Sequence, residues 1–164
     1  MVFVKGLLKL YRSFIFNKKY NGCFKGQDFH YSFTCDNHNG LEFGKKVYIG
    51  PNCHFDAKGG IKLKDYSIIA PHVKIWSYNH DFKSDMVPYG NEDILKKVVI
   101  GKGAWVGLGA IILPGTEIGE GCIIGAGSIV HGQIPPYSLV RPGYATTEPL
   151  DIEKRKNYFK REFY

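Results

Sequence analysis

Residues 98–136 read VVIGKGAWVGLGAIILPGTEIGEGCIIGAGSIVHGQIPP, and one period runs through them. Ile100, Val106, Ile112, Ile118, Ile124 and Val130 stand six residues apart without a slip. Four places after these anchors come small residues, Ala104, Ala110, Thr116, Cys122 and Ser128. The position directly after an anchor is mostly glycine, as at Gly101, Gly107, Gly119 and Gly125. An earlier block keeps the same beat through Phe43, Ile49 and Phe55, slips by two residues at Gly59-Gly60, and resumes at Leu63, Ile69 and Ile75.

A period of six has a physical meaning. Each hexapeptide supplies one short strand and one tight corner, and three of them close a triangular coil of about 18 residues. The branched anchor points inward and stacks on its equivalents above and below, while the small residue fills a corner too narrow for anything larger. Glycine permits corner dihedrals that a β-carbon opposes. The expected fold is therefore all-β, a left-handed parallel β-helix of hexapeptide repeats with short terminal helices and one extruded loop. A doubly wound α/β fold needs helical stretches of ten or more residues, and the density of Gly, Ile and Val between 43 and 134 leaves none. Hairpin spacing is absent too, which removes sandwiches and barrels.

At 164 residues the chain is long enough for one domain with a sizeable core. The reading divides it into a lead-in over 1–42 with an amphipathic helix, a β-helix over 43–134, and a C-terminal segment over 135–164 with a basic helix. In the lead-in, Val4, Leu7, Leu8, Tyr11, Phe14 and Ile15 follow helical spacing, while Lys5, Lys9 and Arg12 interrupt the apolar run. That segment packs on the protein or lies on a membrane surface; it is neither a secretory signal nor long enough to span a bilayer. A cytoplasmic protein is expected, with a peripheral place at the inner face of the membrane left open. The net charge of +7 is compatible with nucleic acid, anionic membrane or a phosphorylated small molecule, and no nucleic-acid motif accompanies it. The four cysteines, Cys23, Cys35, Cys53 and Cys122, have no C-x-x-C spacing, which argues against a zinc ribbon or a disulfide framework.

Between Ile75 and Val98 the repeat stops, and a polar loop over 77–97 takes its place. Repeat proteins carry such insertions as loops on a functional face. The loop opens with Trp76-Ser77-Tyr78-Asn79-His80-Asp81, and a histidine where a regular wall opens is a plausible general base. Taken alone, an isolated loop histidine is more often a surface residue.

Ser77-Tyr78-Asn79-His80-Asp81, followed by a loop and then by the hexapeptides from Val98 to Val130, resembles the hexapeptide-repeat acyltransferases. The nearest group holds the sugar O-acetyltransferases and those of bacterial polysaccharide synthesis, and the resemblance spans roughly 43–143. It implies a homotrimer with acetyl-CoA in a groove between subunits, His80 as the catalytic base, and no metal. By position it implies coenzyme contacts at Gly107, Leu108, Ala126 and His131. Arg141 and the tail Lys154-Arg155-Lys156 with Lys160-Arg161 have the chemistry to bind a 3′-phosphate, and the tail reads equally as a solvated amphipathic helix. The glycine and alanine positions are demanded by the coil in any case. One departure stands at Arg141-Pro142-Gly143-Tyr144-Ala145, where Tyr144 replaces the family's proline.

The acceptor is expected to be a sugar hydroxyl, on a small molecule or a lipid-linked precursor. Asp56, Trp76, Tyr78 and Asp81 are the candidate contacts, aromatics for the ring face and carboxylates for hydroxyls. Two other readings remain on the same scaffold. One is N-acetylation of an amino sugar or O-acetylation of serine. The other is a zinc enzyme like the γ-type carbonic anhydrases, for which His54, His72 and His80 are available but out of step with one another along the repeat.

Overall fold

The computed structural model describes residues 27–81 and 92–143, the strand 147–149 and residue 153. Over these residues the chain winds a left-handed parallel β-helix of about five turns. The first coil holds β1 (Asp28–Phe29), β2 (Thr34–Asp36) and β3 (Leu41–Phe43). The second holds β4 (Tyr48–Ile49), β5 (His54–Asp56) and β6 (Ile61–Leu63). The third runs through β7 (Ile68–Ile69) and β8 (Lys74–Trp76), makes an excursion through β9 (Tyr78–His80) and β10 (Asp93–Leu95), and returns at β11 (Val98–Ile100).

The fourth coil is β12 (Trp105–Val106), β13 (Ile111–Ile112) and β14 (Glu117–Ile118). The fifth is β15 (Ile123–Ile124), β16 (Ile129–Val130) and β17 (Gln133–Ile134). A sixth opens with β18 (Ser138–Val140), against which β19 (Thr147–Pro149) pairs antiparallel. The parallel ladder thus runs from Asp28 to Val140, beyond both ends of the stretch in which the period is legible. Of the terminal helices expected from sequence, only Glu153 is among the described residues, and it is helical; among the described residues no helix is long and apolar enough to cross a membrane.

Three faces result. The first carries β1, β4, β7, β12, β15 and β18, the second β2, β5, β8, β13 and β16, and the third β3, β6, β11, β14 and β17. Register keeps the anchors in columns, for example Ile49 on Ile69, Val106, Ile124 and Val140 of the first face. Phe55, Ile75, Ile112 and Val130 form the column of the second face. All of these are buried, as are the small corner residues Ala104, Ala110, Thr116, Cys122 and Ser128. Burying branched side chains on both sides of every coil is what stabilises strands of only two or three residues.

Changes in coil length are confined to one corner. From the first face to the second, anchors are six apart throughout, and so they are from the third face to the first. From the second face to the third the step varies: eight residues from Phe55 to Leu63, twenty-five from Ile75 to Ile100, six from Ile112 to Ile118, and four from Val130 to Ile134. The slip at Gly59-Gly60 and the interruption at 77–97 are therefore two lengths of the same corner.

Glycine serves two purposes. Gly109 and its counterpart in the preceding coil, His72, both sit at positive φ, 65° and 62°, where glycine is the unstrained choice. Gly107 directly follows an anchor and needs no unusual dihedral. A β-carbon there would lie 2.5 Å from the Ile124 carbonyl oxygen of the next coil, so close approach, rather than the corner dihedral expected from sequence, excludes a side chain.

Since Ile112 is fully buried between Ile75 and Val130, Ile112→Ala is expected to destabilise the protein by about 2–5 kcal/mol. Chemical denaturation checks this; a loss below about 1 kcal/mol would mean that the column is not close-packed.

Candidate functional site

The long corner is built on a hydrogen-bonded base. Ser77 is fully buried; its N–H and its hydroxyl both donate to the Asp56 carbonyl, at 3.1 and 2.8 Å, and Gly59 N–H donates to Ser77 Oγ at 2.9 Å. Lys96 N–H donates to the Ser77 carbonyl at 2.8 Å, which brings the chain back into the coil where it left. Gly59 must be glycine, because a β-carbon would fall 1.9 Å from that carbonyl oxygen. On the return side Lys97 and Lys62 donate to the two oxygens of Glu42, at 2.5 and 2.9 Å. The Lys97 hydrogen bond, then that of Lys62, holds the Glu42 carboxyl down to about 2.

Above this base β9 and β10 pair antiparallel, with His80 opposite Asp93 and Tyr78 opposite Leu95. The pairing sets the site: His80 Nδ1–H donates to Asp93 Oδ1 at 2.8 Å. A carboxylate only accepts, so Nδ1 carries the proton and Nε2 is the basic nitrogen of the neutral ring. The Lys58 ammonium, arriving from the corner of the second coil, donates to Asp93 Oδ2 and lies 5.1 Å from the centre of the Tyr78 ring. Lys58, and after it the His80 hydrogen bond, hold the Asp93 carboxyl below its ordinary range against partial covering, and Asp93 raises Lys58. The imidazole is half exposed, with 53% of its side-chain surface accessible, and Asp93 is largely covered at 17%. What results is an accessible base backed by a fixed carboxylate.

Tyr78 and Trp76 stand beside it, half-buried, with ring centres 6.1 Å from His80 to Tyr78 and 6.2 Å from Tyr78 to Trp76. Asp81, half-buried, follows His80 directly. Asp56 is deeper, 5% exposed, and its Oδ1 accepts from Asn37 Nδ2 at 2.8 Å and from Lys58 N–H at 3.2 Å. Its carboxylate braces the corner that carries Lys58, and the acid on His80 is Asp93. Sequence reading did not single out Asp93 or Lys58. The signal for Asp93 was the apolar Ile94-Leu95 following it, which marks a returning strand, but its register against 78–80 is a property of the fold.

The candidate coenzyme residues gather elsewhere. Gly107, Leu108 and Ala126 stack at the corner between the first and second faces, with Gly127 N–H donating to the Leu108 carbonyl at 2.8 Å. Arg141, exposed, continues that corner in the sixth coil, where Pro142 meets Gly125. His131 leaves β16 on the other edge of the second face and does not join them. Leu108 is half exposed at 51%, and Ala126 is exposed. The corner therefore offers an uncharged wall of small and apolar groups with a guanidinium further along.

Of the histidines weighed for zinc, His54 is held by Thr34 Oγ1 at 2.8 Å from its Nδ1, and His72 is exposed at its corner. Among the described residues no three His, Cys, Asp or Glu side chains are grouped as metal ligands.

The signature of the bacterial transferase hexapeptide, in six repeats, matches residues 97–132. Residues 97–132 thus carry the repeat that is found in the bacterial hexapeptide transferases. Similar proteins include Nodulation protein L of Rhizobium leguminosarum bv. viciae, 37% identical over 51% of this chain and 43% of that protein. The galactoside O-acetyltransferase of Lactococcus lactis subsp. lactis is 31% identical over 74% of this chain and 56% of that one. Among solved structures, a maltose O-acetyltransferase from Clostridium difficile 630 superposes with a TM-score of 0.68 at 26% identity, over 77% of this chain and 67% of that one. The chain spans between 33% and 56% of the length of the curated relatives that it matches.

Acid should loosen the base of the loop. Because the folded pKa of Asp93 is lowered, its contribution to stability is complete above the ordinary carboxylate value of about 3.9 and is lost as the pH falls through the lower folded value. Wild type is therefore expected to lose stability relative to Asp93→Asn below about pH 4; acid-unfolding curves that keep a constant separation would contradict the pairing.

Proposed function

We propose that the protein is an acetyl-CoA-dependent O-acetyltransferase acting on a sugar hydroxyl, in the synthesis of a bacterial surface polysaccharide. The observation that carries this reading is the half-exposed His80 backed by Asp93 at the mouth of the loop, with two half-buried aromatic rings beside it. In the reaction His80 Nε2 takes the proton from the acceptor hydroxyl as its oxygen attacks the thioester carbonyl. Asp93 holds the ring and stabilises the imidazolium that forms. When the tetrahedral intermediate collapses, the C–S bond breaks and the proton passes from His80 to the departing thiolate. The thioester is already activated, so orientation and one base supply most of what is needed.

The gathered corner of Gly107, Leu108 and Ala126 suits an uncharged pantetheine arm, since the groups it exposes, Leu108 and Ala126, are apolar. Arg141 suits a phosphate at the far end. His80 and this corner occupy opposite edges of the second face, with the loop in the third coil and the corner in the fourth to sixth. A single chain thus carries two half-sites. We take the working unit to be a homotrimer, in which the loop of one subunit faces the corner of the next. Use of acetyl-CoA places the protein in the cytoplasm, and the amphipathic N-terminal segment is compatible with an acceptor held at the membrane surface. The O-acetyltransferase activities for which the galactoside and maltose relatives are named support a sugar hydroxyl over an amine.

The test is acceptor-dependent release of CoA thiol from acetyl-CoA with a panel of sugars and amino sugars. His80→Ala is expected to lower it by about 10²–10⁴-fold, and Asp93→Asn by less, with unchanged binding of acetyl-CoA. Full activity in His80→Ala would remove the base from the scheme, and failure of the wild type to bind acetyl-CoA would end the transferase reading.

A further inference from the structure

Beside the candidate base runs a row of rings that a single sugar would not occupy. From Tyr78 it continues to Trp76 at 6.2 Å and from Trp76 to His54 at 5.2 Å, with interplanar angles of only 31° and 43°. His80 stands upright at the end of this row, at 86° to Tyr78. The row is not a by-product of core packing, because Tyr78, Trp76 and His54 point outward from the second face and its loop and are all partly exposed. At its far end His54 is flanked by first-coil residues, with Thr34 Oγ1 2.8 Å from Nδ1 and Asp36 Oδ2 3.6 Å from Nε2. Asp36 is itself 65% exposed and able to take further hydrogen bonds.

The row therefore crosses three coils, from Asp36 in the first through His54 in the second to Trp76 in the third, along the axis of the β-helix. Adjacent coils are about 4.8 Å apart, comparable with the length of one pyranose unit. Partly exposed aromatic faces flanked by hydrogen-bonding side chains are suited to the two surfaces of a sugar, its apolar C–H face and its hydroxyl rim. Charges along the row are of both signs, Asp36 and Asp93 against Lys58, which favours an uncharged chain over a polyanion.

We infer that Trp76, His54 and Asp36 form secondary sugar subsites, so that the acceptor is an uncharged glycan chain of at least three units rather than a monosaccharide. This deepens the reading given above and rests on it for the role of His80. The unit to be acetylated sits against Tyr78 and His80, the next on Trp76, and the third between His54 and Asp36.

Two uncharged series of one to five units, α1,4-linked glucose and β1,4-linked N-acetylglucosamine, test the inference by isothermal titration calorimetry and by CoA release. In at least one series Kd is expected to fall tenfold or more from one unit to three and to level off beyond. His54→Ala should remove most of that gain while leaving the affinity for the single unit unchanged, and Trp76→Leu should lower trisaccharide affinity at least as much. Asp36→Ala, at an exposed position, should lower only trisaccharide affinity and guards against a folding defect in the other two. Affinity independent of length, no binding in either series, or a length gain that survives these substitutions overturns the track. If single units are acetylated with no length gain, the track fails and the transferase stands. A length gain without CoA release leaves the track and removes the transferase.

Discussion

In a β-helix every strand takes its hydrogen bonds from the coils above and below, so no coil can change its path without breaking two ladders at once. The constraint is strictest where an anchor meets its equivalent, as where Ile112 lies between Ile75 and Val130. It relaxes only at a corner, where the chain is outside the ladder and has merely to return in register. Here all the freedom is spent at one corner. The two-residue slip, the long loop and the shortened last coil all fall between the second face and the third, while the other corners hold the step of six.

The candidate site follows from that confinement. A loop hung on a rigid wall brings polar side chains together without disturbing the core, provided its two ends are fixed. Ser77 and Lys96 fix them by backbone hydrogen bonds, and Lys97 reinforces the return by its ion pair with Glu42. Lys58 ties the loop to the wall a second time, from the coil below. It reaches Asp93 because the second coil is two residues longer at this same corner, where Gly59 passes under the Ser77 carbonyl. Length variation in one coil thus supports the excursion in the next.

How far this could be read from sequence depends on whether a residue obeys the period. Ile100 to Val130 announced the wall because each is repeated by its neighbours, and the small residues announced the corners. The loop was visible as the place where the beat stopped, and His80 emerged through its motif. Asp93 obeyed no period. Several acids lie in the same stretch, among them Asp81, Asp85 and Glu92, and only the antiparallel register of β9 with β10 selects the one opposite His80. Asp56 was legible as polar and close to the loop, but that it turns inward to Asn37 and the Lys58 amide depends on the corner's backbone. His54 looked like a stray metal ligand, since its relation to Trp76 arises from neighbouring coils and not from neighbouring residues.

Sharing Asp93 between His80 and Lys58 has a geometric consequence for any base that works here. Each partner uses a different carboxylate oxygen, so the hydrogen bond that orients the His80 ring does not compete with the ion pair to Lys58. Lys58 in turn keeps that carboxyl ionised, since its ammonium is the largest cause of the lowered Asp93 pKa. An ionised carboxylate only accepts, so the proton of the neutral ring stays on Nδ1 and Nε2 is the nitrogen left to act. Lys58 therefore acts on the base through its position: by anchoring Asp93 from the coil below, it fixes the direction in which Nε2 points.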